Sequence, residues 1–338
     1  MKYTEALEKR EQILRKIEED IQKLEEMKER LREGIIDKLG KRRVEIQSDG
    51  KEYRTAGIDS ARGIKRYISS NFYAYVCISF REKLDACLQE VDFDVIGFVE
   101  EEVELADRIL EGLSMGAEVL LARKEIRNTD FIFMDGSVST FIIKLNSAAT
   151  AASKLEGKLS NKLKQFYEKI ISAFVALLLS GKVVFVPKST QKDDFKNSVL
   201  SKLPSSLKES FEDRIKSISD VKLAQIILKP LECVKVPIVP HPYNLYNPYE
   251  EGTEEYHRFS ELTKSLFRLA NSPEVFYFKG IGEYTYRLES FVQDLPMDLI
   301  AQYTFGKTFY LTTEADRRAK DYIKTLLKEG FPLEEEIR

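Results

Sequence analysis

Apolar and polar positions divide the chain into a leading helix, a strand-rich stretch, and then helices alternating with strands. Between Tyr3 and Ile36, Leu7, Leu14, Ile17, Ile21, Leu24, Leu31 and Ile35 recur in steps of three and four, with Arg10 and Lys28 interrupting the series. That spacing predicts a long amphipathic helix, which either packs on its own domain or pairs with a second chain as a coiled coil. Gly40 and Gln47-Ser48-Asp49-Gly50 punctuate the chain beyond this helix. Tyr53 to Asp59 reads as a strand, Ser60 to Gly63 as a turn, and Ile64 to Phe80, rich in β-branched and aromatic residues, as one or two more strands.

From Val99 to Ile126 the period becomes helical, with Val103, Ala106, Leu110, Leu113, Ala117 and Leu121 on one face. Glu111, Glu118 and Glu125 repeat every seven residues, so they project in related directions. Asp130 to Asp135 returns to strand. A helix is expected over Lys154 to Leu179, stopped by Ser180-Gly181, and a strand over Lys182 to Val186, closed by Pro187 and Lys188. Helical segments come next between Lys192 and Leu228, then a proline-rich surface connector from Val236 to Pro248. The pattern ends with a helix at Glu254 to Ala270, strands at Val275 to Lys279 and Tyr284 to Glu289, and a helix at Glu314 to Lys328. No internal repeat or low-complexity tail interrupts it.

A chain of 338 residues admits one enlarged α/β domain or two domains. We divide it into a helical segment, 1–45, and a main α/β domain, 46–338, carrying a helical insertion at about 190–270. The net charge of −3 gives no long-range attraction for phosphate, so nucleic-acid contact would need a local basic patch. Cys77, Cys87 and Cys233 are odd in number and lack C-x-x-C spacing, which argues against a disulfide framework and for a reducing, cytoplasmic location. The longest apolar stretch, Ile170 to Leu179, is too short to span a bilayer. With His241 and His257 the sole histidines, a metal would have to be held by oxygen ligands.

The candidate chemistry sits at strand ends. Thr55-Ala56-Gly57-Ile58 leads into Asp59, and Phe131-Ile132-Phe133-Met134 leads into Asp135-Gly136-Ser137. Carboxylates at strand tips, with Glu118 from a helix, form an all-oxygen donor set of the kind hard Mg²⁺ or Mn²⁺ prefers. Two such ions can activate water and absorb charge on a leaving oxygen in phosphodiester hydrolysis. Lys188 is placed to steady a phosphate or the attacking water. Taken singly, each residue has a plainer reading: Asp before Gly-Ser as a turn former or cap, Glu118 as a solvated helix face, Lys188 as a surface lysine. Their joint order carries the argument. Arg62, Lys65, Arg66, Lys192, Lys196 and Arg287 lie near the motif ends and suit phosphate contact. Gly306-Lys307-Thr308 is no phosphate-binding loop, because Ala301 stands where the first glycine is needed and no apolar strand precedes it.

The ordered set resembles the NurA nucleases of archaea and some bacteria. The resemblance lies in Gly57-Ile58-Asp59-Ser60-Ala61-Arg62, Glu118, Phe133-Met134-Asp135-Gly136-Ser137, Val183-Val184-Phe185-Val186-Pro187-Lys188, Ser219-Asp220-Val221-Lys222-Leu223, Tyr286-Arg287-Leu288-Glu289 and Pro296 to Tyr303. It implies an RNase H-like mixed sheet flanked by helices, a homodimer, and a DNA nuclease dependent on Mn²⁺ or Mg²⁺, with two ions per site. The implied activity is 5′ to 3′ exonucleolytic, with endonuclease action on single strands. It also implies partnership with a HerA-type hexameric translocase in DNA end resection and recombinational repair. Asp59, Glu118 and Asp135 fall on the family's metal-binding acids and Lys188 on its strand-end lysine. Tyr303, with Asp298 nearby, stands where many members carry a histidine, and a phenol cannot serve as a neutral-pH base. We therefore expect Asp59, Glu118, Asp135, Lys188 and Tyr303 at the catalytic site, and Arg62, Lys192 and Arg287 on the nucleic acid. A non-catalytic dimeric adaptor of a DNA translocase is the alternative, and action on RNA a third reading.

Overall fold

The computed structural model describes residues 3–46, 52–66, 71–82, 88–98, 103–154, 158–187, 192–282, 284–304, 306 and 308–329. Lys188, Cys87, Lys307 and Gln47 to Gly50 lie outside them. In chain order the elements are α1 (Tyr3–Ile35), β1 (Arg42–Arg43), β2 (Thr55–Arg66), β3 (Asn71–Glu82), β4 (Leu88–Phe98), α2 (Val103–Glu125), β5 (Phe131–Asp135), α3 (Val138–Ala152), α4 (Lys158–Leu179) and β6 (Val183–Val186). They continue with α5 (Asp194–Lys202), α6 (Ser205–Ser217), α7 (Asp220–Ile227), β7 (Glu232–Val236), α8 (Glu254–Ala270), β8 (Glu274–Lys279), β9 (Thr285–Ser290), α9 (Met297–Gln302) and α10 (Tyr310–Glu329).

Among the described residues the strands make one mixed sheet in the order β1-β7-β8-β9-β6-β5-β2-β3-β4, with the two-residue β1 at its edge. β5 runs parallel to β2 on one side and to β6 on the other, and every other pairing is antiparallel. This position explains the unbroken apolar runs of β5 and β6: central parallel strands are covered on both faces and have no polar side to alternate with. On one face Ile58, Ile132, Met134 and Phe185 meet α2, α3, α4 and α8. On the other, Ala61, Phe133, Val184 and Val186 meet α9 and α10. A third apolar cluster joins Met27, Leu31 and Ile35 of α1 to α5, α6 and α7, and to Val234 and Tyr277 of the sheet.

The turn expected at Ser60 to Gly63 is absent. β2 runs straight through it, paired with β3 from Thr55↔Glu82 to Arg66↔Asn71. Gly63 serves close packing instead: a Cβ there would lie 2.4 Å from Leu327 of α10. Helix α3 has no counterpart in the sequence-based expectation, although Ser137 caps it by accepting from the Thr140 N–H at 3.1 Å. The proline-rich connector is an ordered surface segment. Tyr243 bonds Ser139 at 2.8 Å, and the Tyr246 N–H donates to Asn146 at 2.7 Å, which fastens it to α3. No helix among the described residues is long and apolar enough to cross a membrane.

Candidate active site

β5 pairs with β2 through Ile58↔Met134 and no further, while β2 continues to Arg66. Asp59 and Asp135 are the residues that come next on each strand. Neighbouring strands lie about 4.8 Å apart, so the two acids emerge side by side at the carboxyl ends of a parallel pair. Past this point β2 leaves the edge that β5 had occupied, and a notch opens between the two faces of the sheet.

Beside Asp59 lies a cleft of about 550 Å³ whose polar lining includes Asp59, Ser60, Arg62, Glu118, Lys320 and Lys324, while Asp135 is not among its lining residues. Asp59 shares a face of β2 with Gly57 and Ala61, the face on which α10 rests. Glu118 enters from α2 on the opposite face and accepts a hydrogen bond from the Ser60 hydroxyl. Both carboxylates are largely buried, Asp59 at 8% and Glu118 at 4% exposure. Two local bonds hold the strand-tip acids: the Ser60 N–H donates to Asp59 Oδ1 at 2.7 Å, and the Gly136 N–H to Asp135 Oδ1 at 3.0 Å. Gly136 takes φ +94°, a value that suits glycine and lets the chain turn sharply into α3 just after the acid.

The three carboxylates do not form a ready coordination shell. Among the described residues no group of three or more His, Cys, Asp or Glu side chains could hold one metal ion. The pleat gives the reason: Asp59 and Ser60 point to opposite faces, and Glu118 follows Ser60. The donors are nevertheless all oxygens, and Asp59 and Glu118 open onto the same cleft. In donor chemistry the residues fit a hard divalent cation.

The other glutamates of the seven-residue series have structural partners. Glu111 accepts from both Arg62 and Lys144 at 2.9 Å; burial pushes its carboxyl up, but these two cations outweigh it and hold the group below the usual range. Glu125 is fully buried and pairs with Arg81 at 2.8 Å.

Two expected site residues lie elsewhere. Tyr303 is buried against Phe133 and Phe309, and its hydroxyl is 3.0 Å from that of Thr55, at the start of β2. Four strand residues, about 13 Å, separate that point from Asp59, so Tyr303 is a core residue. Arg287 has no exposed surface with which to meet nucleic acid. It pairs with Asp194 at 2.7 Å and with Glu289, and Glu289 Oε2 accepts the Val138 N–H at 2.8 Å. This buried network ties the turn after Asp135 to α5.

Of the other basic residues, Lys192 is part-buried with its ammonium 3.9 Å from Glu289, and desolvation lowers its pKa despite that carboxylate. Lys196 is engaged by Asp193 at 2.8 Å and the Lys216 carbonyl at 3.3 Å. Arg62 lines the cleft. Sequence reasoning missed Ser60, Lys320 and Lys324; the lysines' spacing of four beside the apolar stripe of α10 was the available signal.

The protein is thus a mixed α/β protein with a carboxylate-lined cleft at the tips of its central parallel strands. By sequence the chain matches no protein family and no curated protein. By structure it has the NurA fold. The NurA nuclease from Sulfolobus solfataricus superposes with a TM-score of 0.56 at 14% identity, covering 94% of this chain and 96% of that one. A NurA structure with manganese gives 0.52 at 12% identity, covering 96% and 98%. One bound to dAMP and manganese gives 0.51 at 12%, covering 97% and 98%.

Proposed function

We propose that this protein is a metal-dependent DNA nuclease of the NurA type, built on an RNase H-like sheet. The observation that carries the reading is the emergence of Asp59 and Asp135 side by side at the ends of paired parallel strands, where the cleft lined by Asp59 and Glu118 opens. The fold-level likeness to structures that hold manganese and dAMP supports it. Asp59, Asp135 and Glu118 would hold Mn²⁺ or Mg²⁺, two ions in the fullest form of the reading, and Lys188 would steady a phosphate or the attacking water. The bound cation would supply an activated water and charge neutralisation on the leaving oxygen.

This chain's own residues do the rest. Asp59 and Asp135 would hold the cation at the end of β2, the Ser60 hydroxyl orients Glu118, and α2 and α10 wall the cleft on its two sides. On the same reading the enzyme degrades DNA from 5′ ends, cuts single strands internally, and acts as a homodimer with a HerA-type translocase in end resection and recombinational repair inside the cell. Residues 46–338 then hold most of the nuclease domain, but the 190–270 stretch, expected as a helical insertion, supplies β7 to the sheet, and residues 1–45 supply β1 as well as α1.

The test is incubation with end-labelled single- and double-stranded DNA in Mn²⁺, in Mg²⁺ and in chelator, for the wild type and Asp59→Asn. Cleavage that needs the metal and Asp59 is expected. Metal-independent cleavage, or full cleavage by the variant, would overturn the reading. One observation favours the alternative of a non-catalytic adaptor, namely that the three acids are not gathered into a common shell. The adaptor predicts no Mn²⁺ binding linked to Asp59 by calorimetry.

A further inference from the structure

Lys320 and Lys324 line the same cleft as Asp59 and Glu118, but from α10. They are four residues apart, so they stand one above the other about 6 Å along the helix. The apolar stripe Leu311, Ala315, Ala319 and Ile323 seats α10 on the sheet and fixes these lysines at the lip of the notch. We infer that Lys320 and Lys324 form a phosphate-binding rail that holds the backbone of a single nucleic-acid strand across the cleft. This assignment rests on the nuclease reading and names the surface that would receive its substrate.

Charge explains why such a rail is needed. Asp59 and Glu118 make one side of the cleft acidic, which repels a polyanion. Arg62 is the cation nearest to them in sequence, and its charge is engaged by Glu111 at 2.9 Å and Asp107 at 4.0 Å. Each α10 lysine pairs with one carboxylate of its own helix, whereas Arg62 is shared by two from α2. Lys320 pairs with Asp316 at 2.7 Å and Lys324 with Asp321 at 3.9 Å, each within about one turn of an exposed helix face. Both lysine side chains are more exposed than buried, at 59% and 72%. Asp316 is half-buried and Asp321 exposed, but ion pairs made by exposed lysines within one helix are weak and exchange for a phosphate oxygen, which a lysine recognises as a point charge without reading bases.

The experiment is a binding measurement with a fluorescent single-stranded oligothymidylate, in chelator so that no cleavage occurs, over a salt titration. The proteins are the full chain, the Lys320→Gln/Lys324→Gln double variant, and a Lys235→Gln/Lys264→Gln control with the same change in net charge away from the cleft. The double variant should bind more weakly, and the slope of log affinity against log salt should fall by about 0.7 per lost phosphate contact, about 1.4 for the pair. The control should keep the wild-type slope. An unchanged slope in the double variant, or an equal fall in the control, would overturn the rail while leaving Mn²⁺-dependent cleavage by the wild type as evidence for the nuclease reading. Absence of both oligonucleotide binding and cleavage in the wild type would remove the two together. All four lysines are at the surface, so a folding failure is not expected, and circular dichroism checks it.

Discussion

Gly57 lies directly beneath Leu311: a Cβ added to the glycine would come within 2.3 Å of the leucine's carbonyl carbon and oxygen. Helix α10 therefore rests on β2 at backbone contact, two residues before Asp59. Gly57→Ala must push the helix away, because a backbone carbonyl cannot rotate aside as a side chain can. We expect a loss of about 3 kcal/mol in chemical denaturation, at the upper end of ordinary overpacking. The variant should also lose cleft-dependent DNA binding, since Lys320 and Lys324 move with α10.

The buried network around Arg287 makes a second prediction. Removing the cation alone, as Arg287→Met, leaves Asp194 and Glu289 buried without their partner and should cost about 3–5 kcal/mol. Replacing all three members with apolar residues of similar volume should recover part of that loss, less the cost of the Val138 and Val239 N–H groups that lose their acceptors. Equilibrium unfolding of the single and triple variants measures both, and a triple variant no more stable than the single would contradict the account.

Tyr303→Phe should leave DNA cleavage unchanged and lower stability by about 1 kcal/mol, the worth of its hydrogen bond with Thr55. A rate assay beside thermal unfolding separates the two effects. Loss of activity with stability retained would return Tyr303 to the catalytic group.

Ser60→Ala should weaken Mn²⁺ affinity by about 10-fold or more, because the hydroxyl orients Glu118 and groups behind a metal ligand commonly carry effects of 10–100-fold. Calorimetric titration with Mn²⁺ reads this directly. Unchanged affinity would place Glu118 outside the metal site.

The Glu111 carboxyl, held low in the folded state by Lys144 and Arg62, gives a pH dependence with a definite sign. A folded pKa below the unfolded one means that the unfolded chain binds more protons between the two values. The stabilisation is then complete above about 4.5, the group's ordinary value, and is lost as pH falls through the lower folded value. Wild type should exceed Glu111→Gln in stability at neutral pH, and the difference should shrink under acid. Denaturant midpoints across that range provide the measurement.

The range of the interactions decides what the sequence disclosed and what it hid. β5 and β6 were legible because a strand covered on both faces must be apolar throughout, and the ends of such runs marked Asp135 and Pro187. Helix α3 was overlooked although Val138, Phe141, Ile142 and Leu145 have helical spacing, because its serines, threonines and alanines carry no charged face to sharpen the contrast. Gly63 read as a turn because the helix that requires a glycine there arrives from the far end of the chain. Arg287 read as a surface base because nothing local shows that Asp194 and Glu289 will enclose it. The strand-tip position of Asp59 and Asp135 was readable. That Asp59 and Glu118 approach the cleft from opposite faces depends on where β2 outruns β5, a matter of pairing length that no single segment encodes.

The seat of α10 on β2 also sets an order of assembly. β2 and α2 precede α10 in the chain, so a nascent chain that has not reached α10 carries Asp59 and Glu118 without the lysine-bearing side opposite them. If that rail grips the strand, a polypeptide interrupted before α10 would be unable to retain nucleic acid, and the proposed cleavage would wait until α10 had been made.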